Sequence, residues 1–147
     1  MKQSNTHDAC IDVCNDLLRG EISAVETYDQ AIHKYADHPA AIALERMRNE
    51  HRDSAMRLRA NVVSMGGQPA INSGTWGNFA KVVEGAASLF GEASAIAALK
   101  QGEEHGIDQY MAALGNPDVE NEAKTLITTQ LLPRLRTHIQ ALEAIAA

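Results

Sequence analysis

Aromatic residues are scarce in this chain of 147, at 4%. The 45% that is apolar is carried by alanine and leucine rather than β-branched residues. That composition gives strands little to be built from and favours helices. Basic residues are also few, 13 Lys and Arg against 19 Asp and Glu, for a net charge of -6. A nucleic-acid surface needs clustered cations, so that class is excluded. The cluster Arg46, Arg48, Arg52, Arg57, Arg59 is interleaved with Glu45, Glu50 and Asp53 and reads as a solvated helix face. No window approaches the ~20 apolar residues of a membrane helix, and MKQSNTHDAC has no signal-peptide core. A cytoplasmic location is expected.

Only two cysteines occur, Cys10 and Cys14, one helical turn apart. This suits neither a disulfide framework nor a long-loop staple, so both are expected as reduced thiols. With His7 they form His-x-x-Cys-x-x-x-Cys, which lacks a fourth ligand for zinc. No glycine-rich phosphate loop follows a strand, and neither thiol has a base partner for nucleophilic catalysis. Nothing legible makes the chain an enzyme.

What remains is a set of amphipathic helices within one domain, residues 1–147. Pro, Gly and turn residues place them at about 7–36, 40–65, 76–89, 92–114 and 118–146. Pro39 is expected at the first turn of the second helix. Gly66-Gly67 stops that helix, and Pro133 is expected to kink the last one. The loop after the first helix is short, so helices one and two pack antiparallel, as do those flanking Gly115-Asn116-Pro117. The connection from Gly67 to Gly91 is long enough to cross the bundle and carries a short helix from Trp76 to Leu89, with Thr75 as its cap.

One seam holds a misfit. Ile11, Cys14, Leu18, Glu21, Val25, Tyr28, Ile32 and Tyr35 follow helical spacing, and Glu21 is a carboxylate among apolar residues. The misfit repeats at an offset of 82: Gly20-Glu21 with Tyr28 and Ala31 answers Gly102-Glu103 with Tyr110 and Ala113. Glu103 lies on the seam Ile96, Leu99, Glu103, Ile107, Tyr110, Leu114. The second helix contributes Leu44, Met47, His51, Ser54, Leu58, Val62 and Met65. Counting outward from each turn sets Glu21 opposite residues 53 to 57 and Glu103 opposite residues near 130. A polar layer of Glu21, His51, Ser54, Glu103 and Gln130 is therefore expected across the bundle. Both tyrosines lie about 10 Å along their helices from the glutamates and read as core aromatics. His33, His38, His105 and His138 receive no site role.

The stretch GGQPAINSGTWGNFAKVVEGAASLFGEASAIAALKQGEEHGIDQY, residues 66 to 110, resembles a bacterial ferritin-like four-helix-bundle family of unknown function. The resemblance covers nearly the whole chain. It implies an all-α, ferritin-like four-helix bundle made of two antiparallel helix hairpins joined by the long crossover. Catalytic ferritins carry Glu-x-x-His on their second and fourth helices. This sequence has none, and the corresponding stretches are His51-Arg-Asp-Ser54 and Gln130-Leu-Leu-Pro133. The metal-ligand set is thus reduced to Glu21, His51 and Glu103, with Glu50, Ser54 and Gln130 as neighbours. The first functional reading is a structural or stress-related bundle with a degenerate metal site. The alternative is a protein binding iron or zinc at a central Glu/His/Glu site. A homo-dimer or higher homo-oligomer is expected, with no nucleic-acid or membrane partner.

Overall fold

The structure is a computed structural model that describes residues 7–74 and 92–146. The helices are α1 (Asp8–Lys34), α2 (Ala41–Ser64), α3 (Glu92–Leu114), α4 (Asn121–Leu126) and α5 (Leu132–Ala146). A π-helical turn, Ile127–Leu131, joins α4 to α5 and makes them one continuous fourth helix. The described residues contain no strand. The short helix expected over 76–89, with its Trp76 and Phe79 face, lies outside the described residues. Among the described helices none is long and apolar enough to cross a membrane.

Each seam becomes a buried face. Along α2 every expected position from Leu44 to Val62 is buried, and along α1 only Val25 and Ile32 are half-buried. Fully enclosed Leu44, Leu58 and Leu142 each contribute roughly 1.5–3 kcal/mol by leaving water.

Contacts between side chains fix the directions. Cys14 meets Asn61 and Tyr28 meets Met47, so α1 and α2 run antiparallel. Lys100 meets Glu143 and Met111 meets Arg136, so α3 and α5 do too. Ala95 and Leu99 share a cluster with Leu44 and Met47 near the start of α2, whereas Tyr110 and Ala113 share one with Leu58 and Val62 near its end. The second and third helices are therefore parallel, as a chain crossing the bundle from end to end requires.

The ends of the helices show where local signals competed with tertiary contacts. Pro39 stands outside α2 rather than in its first turn, because the His38 ring takes the Ala40 N–H at 3.0 Å and holds a separate turn there. Gly66 ends α2 with φ 84°, a left-handed conformation that glycine adopts without strain. Gly67 is needed for a different reason: a Cβ there would lie 2.7 Å from the Ile11 side chain. Asn15 then ties the following loop to α1, donating to the Gln68 carbonyl at 3.0 Å and accepting from the Ala70 N–H at 2.8 Å.

The fourth helix begins at Asn121, three residues later than its sequence suggests. Glu120 is extended (φ -75°, ψ 154°). Its carboxylate pairs with His7 and its N–H points at the Cys10 sulfur at 3.4 Å, so the chain is anchored to the start of α1 before it can wind. Val119 is drawn into the core by the same path. The disruption expected from Pro133 takes the form of the π turn. Leu132 N–H bonds the Ile127 carbonyl, five residues back. The wider turn accommodates a proline whose ring would otherwise meet the carbonyl four residues before it.

Two apolar clusters result. One gathers Cys10 to Leu18 with Leu58, Val62, Tyr110, Ile127, Leu131 and Leu135; the other gathers Tyr28 to Tyr35 with Leu44, Met47, Ile96, Leu99 and Leu142. Between them lies a layer of buried polar side chains.

Candidate metal centre

Four helices each send one ionisable group into that layer: Glu21 from α1, His51 from α2, Glu103 from α3 and His138 from α5. All four are buried, with at most 4% exposure. His51 Nδ1 lies 2.8 Å from Glu21 Oε1, and its Nε2 lies 2.7 Å from Glu103 Oε1. The other oxygen of Glu103 is 2.8 Å from His138 Nδ1, and His138 Nε2 is 2.7 Å from Glu50 Oε1. Glu50 is 40% exposed, so a continuous chain of carboxylates and imidazoles leads from Glu21 in the core to solvent. Glu103 is its centre, one oxygen facing each imidazole.

Charge in this layer follows from burial against pairing. Burial is the largest influence on His51 and opposes its charge, but Glu103 and then Glu21 outweigh it and raise its pKa to about 10. Burial also works against an ionised Glu103, yet His51 and the hydrogen bond from His138 hold it down at about 2. Pairing decides both signs. The four N···O contacts would need four N–H protons, more than two neutral imidazoles carry. The His51 Nε2 contact, moreover, is close but off the N–H direction, leaving that nitrogen without a hydrogen-bond partner.

The two tyrosines complete the layer across the bundle. Tyr28 O–H points to Glu103 Oε2 at 3.4 Å and to Met47 Sδ at 3.7 Å. Tyr110 faces Glu21; burial and then that carboxylate's charge raise its pKa well above the usual phenol value, but no aligned acceptor receives its O–H. Each tyrosine thus faces the glutamate of the opposite repeat. The G-E-x(6)-Y-x-x-A echo has its physical meaning here: Glu21, His51 and Tyr28 in one half answer Glu103, His138 and Tyr110 in the other.

Glu21, His51 and Glu103, selected from sequence, are brought together. Glu50 reaches the layer through His138. Ser54 is buried but accepts from Arg134 Nη1 at 2.9 Å, beside an Arg134–Asp53 ion pair of 2.8 Å. Gln130 does not join: it lies half-buried in the π turn, roughly 12 Å along the helix from His138. His138, given no role from sequence, occupies the place assigned to Gln130. The seam of α5 carried a signal for it, since His138 falls between the buried Leu135 and Leu142.

The donor set fits a divalent cation. His51, Glu103 and His138 each present a ligand atom, all within 4.8 Å of one another. Donors around a cation with bonds of about 2.0–2.1 Å stand roughly 3.0–3.3 Å apart. The 2.7 and 2.8 Å contacts of Glu103 with His51 and His138 would open by a few tenths of an ångström, and the ligand atoms, now within 4.8 Å of one another, would draw together. Imidazole and carboxylate without thiolate suit iron or zinc.

The thiols are placed otherwise. Cys10 and Cys14 are fully buried with sulfurs 4.0 Å apart; Cys14 points to Asn61 and its pKa is pushed up to about 12, first by burial and then by Cys10. His7 turns to Glu120 instead of the sulfurs. The His-x-x-Cys-x-x-x-Cys spacing does not converge on a ligand set.

Fold and site define a four-helix bundle with a buried carboxylate and imidazole layer. The chain belongs to the family described as Domain of unknown function (DUF2383), which matches residues 9–116. That span contains Glu21, Glu50, His51 and Glu103 and ends before the fourth helix, so His138 lies outside it. No curated protein and no solved structure matches the chain.

Proposed function

We propose that this protein is a metal-binding bundle, in which His51, Glu103 and His138 hold iron or zinc, with Glu21 orienting the His51 ring and Glu50 the His138 ring from their other nitrogens. The observation that carries this reading is the convergence of two buried imidazoles on the two oxygens of Glu103. Glu103 presents one oxygen to His51 and the other to His138, so these three would hold the ion, while Glu21 and Glu50 sit on the imidazole nitrogens turned away from it. The architecture supports a ferritin-like origin. Metal binding would replace the protons that now tie the layer together.

A second reading, a structural or stress-related bundle with a metal-free relic, is favoured by the aligned contacts of His51 with Glu21 and of His138 with Glu103 and Glu50. A protonated His51 between two carboxylates satisfies them without a cation. Metal content decides between the two. Protein purified without a histidine tag, then loaded anaerobically with Fe(II) or with Zn(II), should bind at least one ion per chain. The Glu21→Ala, Glu103→Ala double variant should bind none. A wild type that stays metal-free after loading would establish the relic.

Self-association accompanies either reading as a proposal. Ile42, Met56, Val63 and Met111 are exposed apolar side chains on the bundle's helices, and light scattering reads the resulting mass directly.

A further inference from the structure

Among the described residues of the polar layer, Glu50 is the one that reaches solvent. Its side chain is 40% exposed, whereas Glu21, His51, Glu103 and His138 are buried. Glu50 lies between α2 and α5, where its carboxylate meets His138 Nε2 at 2.7 Å. A cleft of about 50 Å³ between α1 and α3 also ends on the layer, but it leads to Glu21, His51 and Glu103 behind apolar Leu17, Leu99 and Leu135 and leaves out His138. The imidazole that the fourth helix supplies is thus approached from solvent along the α2–α5 seam.

A second rung closes that seam. Arg134 stands four residues before His138 on α5, and Asp53 and Ser54 stand three and four residues after Glu50 on α2, spacings that share one helix face. The guanidinium donates from Nη1 to Ser54 Oγ at 2.9 Å and to the Glu50 carbonyl at 3.5 Å, and its Nη2 lies 2.8 Å from Asp53 Oδ2. Arg57 holds the same carboxylate oxygen at 2.7 Å. A fixed cation therefore sits beside the place where a second cation would approach Glu50, and like charge lowers the local concentration of the newcomer. The same bonds tie α5 to α2 and keep the Glu50 and His138 pair shut in. Arg134 is 25% exposed and its partner Asp53 more so. Ion pairs with that much solvent are weak. Rotation of one long side chain thus opens the seam with both helices intact.

We propose that divalent cations enter and leave the centre along the α2–α5 seam, past Glu50, and that Arg134 is the gate on that route. Latched on Ser54 and Asp53 it closes the seam, and swung into solvent it opens it. This rests on the metal-binding reading above. Glu50 then has a second task besides orienting His138, since it is the first carboxylate of the layer that an entering ion meets. Arg134 holds no ion itself, so its removal alters exchange rates more than affinity.

Stopped-flow mixing of the full metal-free chain with Co(II) reads loading from the visible cobalt bands, and mixing of the cobalt form with EDTA reads release. Arg134→Met should speed both by about tenfold at unchanged cobalt stoichiometry. Arg134→Lys keeps the charge but loses the two-pronged grip, and should fall between that variant and the wild type. Asp53→Ala separates a gate from a simple charge effect: it frees the guanidinium and should speed both steps, whereas loss of an attracting carboxylate alone would slow loading. Ala24→Leu narrows the α1–α3 cleft and should leave both rates unchanged. All rates are taken well below each variant's melting midpoint, so that unfolding does not supply the opening. Unchanged rates in Arg134→Met, slower loading in Asp53→Ala, or slower exchange in Ala24→Leu would each overturn the gate and leave the metal reading standing. Failure to bind cobalt or any other divalent ion at equilibrium would overturn both.

Discussion

At the scale of single residues, His138 and Gln130 put the register of the site to the test. Counting from an assumed turn at Gly115-Asn116-Pro117 selects Gln130, whereas the folded chain presents His138 to Glu103 at 2.8 Å. The two are distinguishable by titration. His138→Ala removes an imidazole from the donor set and should weaken Zn(II) or Fe(II) binding by about tenfold or more. Gln130→Ala should leave affinity unchanged. Calorimetric titration of both variants checks this, and a Gln130 effect equal to that of His138 would contradict the observed placement. Glu21 needed no such correction, because its position on an apolar seam is a property of its own helix.

At the scale of elements, the fourth helix explains why the count failed. Its start at Asn121 rather than Asp118 moves the centre of the α3 hairpin toward its C-terminal side. A shift at the turn is doubled at the facing position, since each added loop residue displaces the whole returning strand of the hairpin relative to the outgoing one. The π turn then adds further slack at Ile127–Leu131. Both displacements run toward the C-terminal end, the direction from Gln130 to His138. If the π turn sets this register, deletion of exposed Thr128 should convert it toward α winding. Residues beyond it would then rotate by about 100° relative to those before it. Either His138 or the apolar contacts of Ala123 and Ile127 would be misplaced, so the thermal midpoint should fall and metal binding should be lost. Thr128→Ala, which keeps the residue count, should change stability by no more than about 0.5 kcal/mol. Circular dichroism melts of the two variants separate register from composition.

At the scale of the whole molecule, the buried layer couples folding to pH. In chelator-treated protein, His51 moves from its ordinary value of 6.5 up to about 10 on folding. Above pH 6.5 the unfolded chain releases a proton that the folded one retains, so this contribution is complete below 6.5 and lost as pH rises through 10. Glu103 moves from 4.5 down to about 2. Its contribution is complete above 4.5 and lost as pH falls through 2. The metal-free bundle should therefore be most stable between about pH 4.5 and 6.5. Urea midpoints measured across pH with chelator present check this, and a midpoint rising from pH 6.5 to 9 would contradict it. A bound cation reverses the alkaline limb, because it needs His51 deprotonated and its own affinity rises with pH.

The sequence by itself determined which faces of the helices are buried, since a 3.6-residue period is a local property that each helix carries alone. It therefore showed Glu21 and Glu103 as carboxylates on apolar seams and His51 beside them. It also placed the parallel second and third helices, because a crossover of that length reaches the other end of a bundle. Periodicity does not fix how far one helix slides along another. That was decided by the anchoring of Glu120 on His7 and Cys10, and by the π turn before Pro133. Only the tertiary structure could then bring in His138 in place of Gln130, join Glu50 to the layer through it, and set Tyr28 against Glu103 and Tyr110 against Glu21. It made the two separate repeats one site.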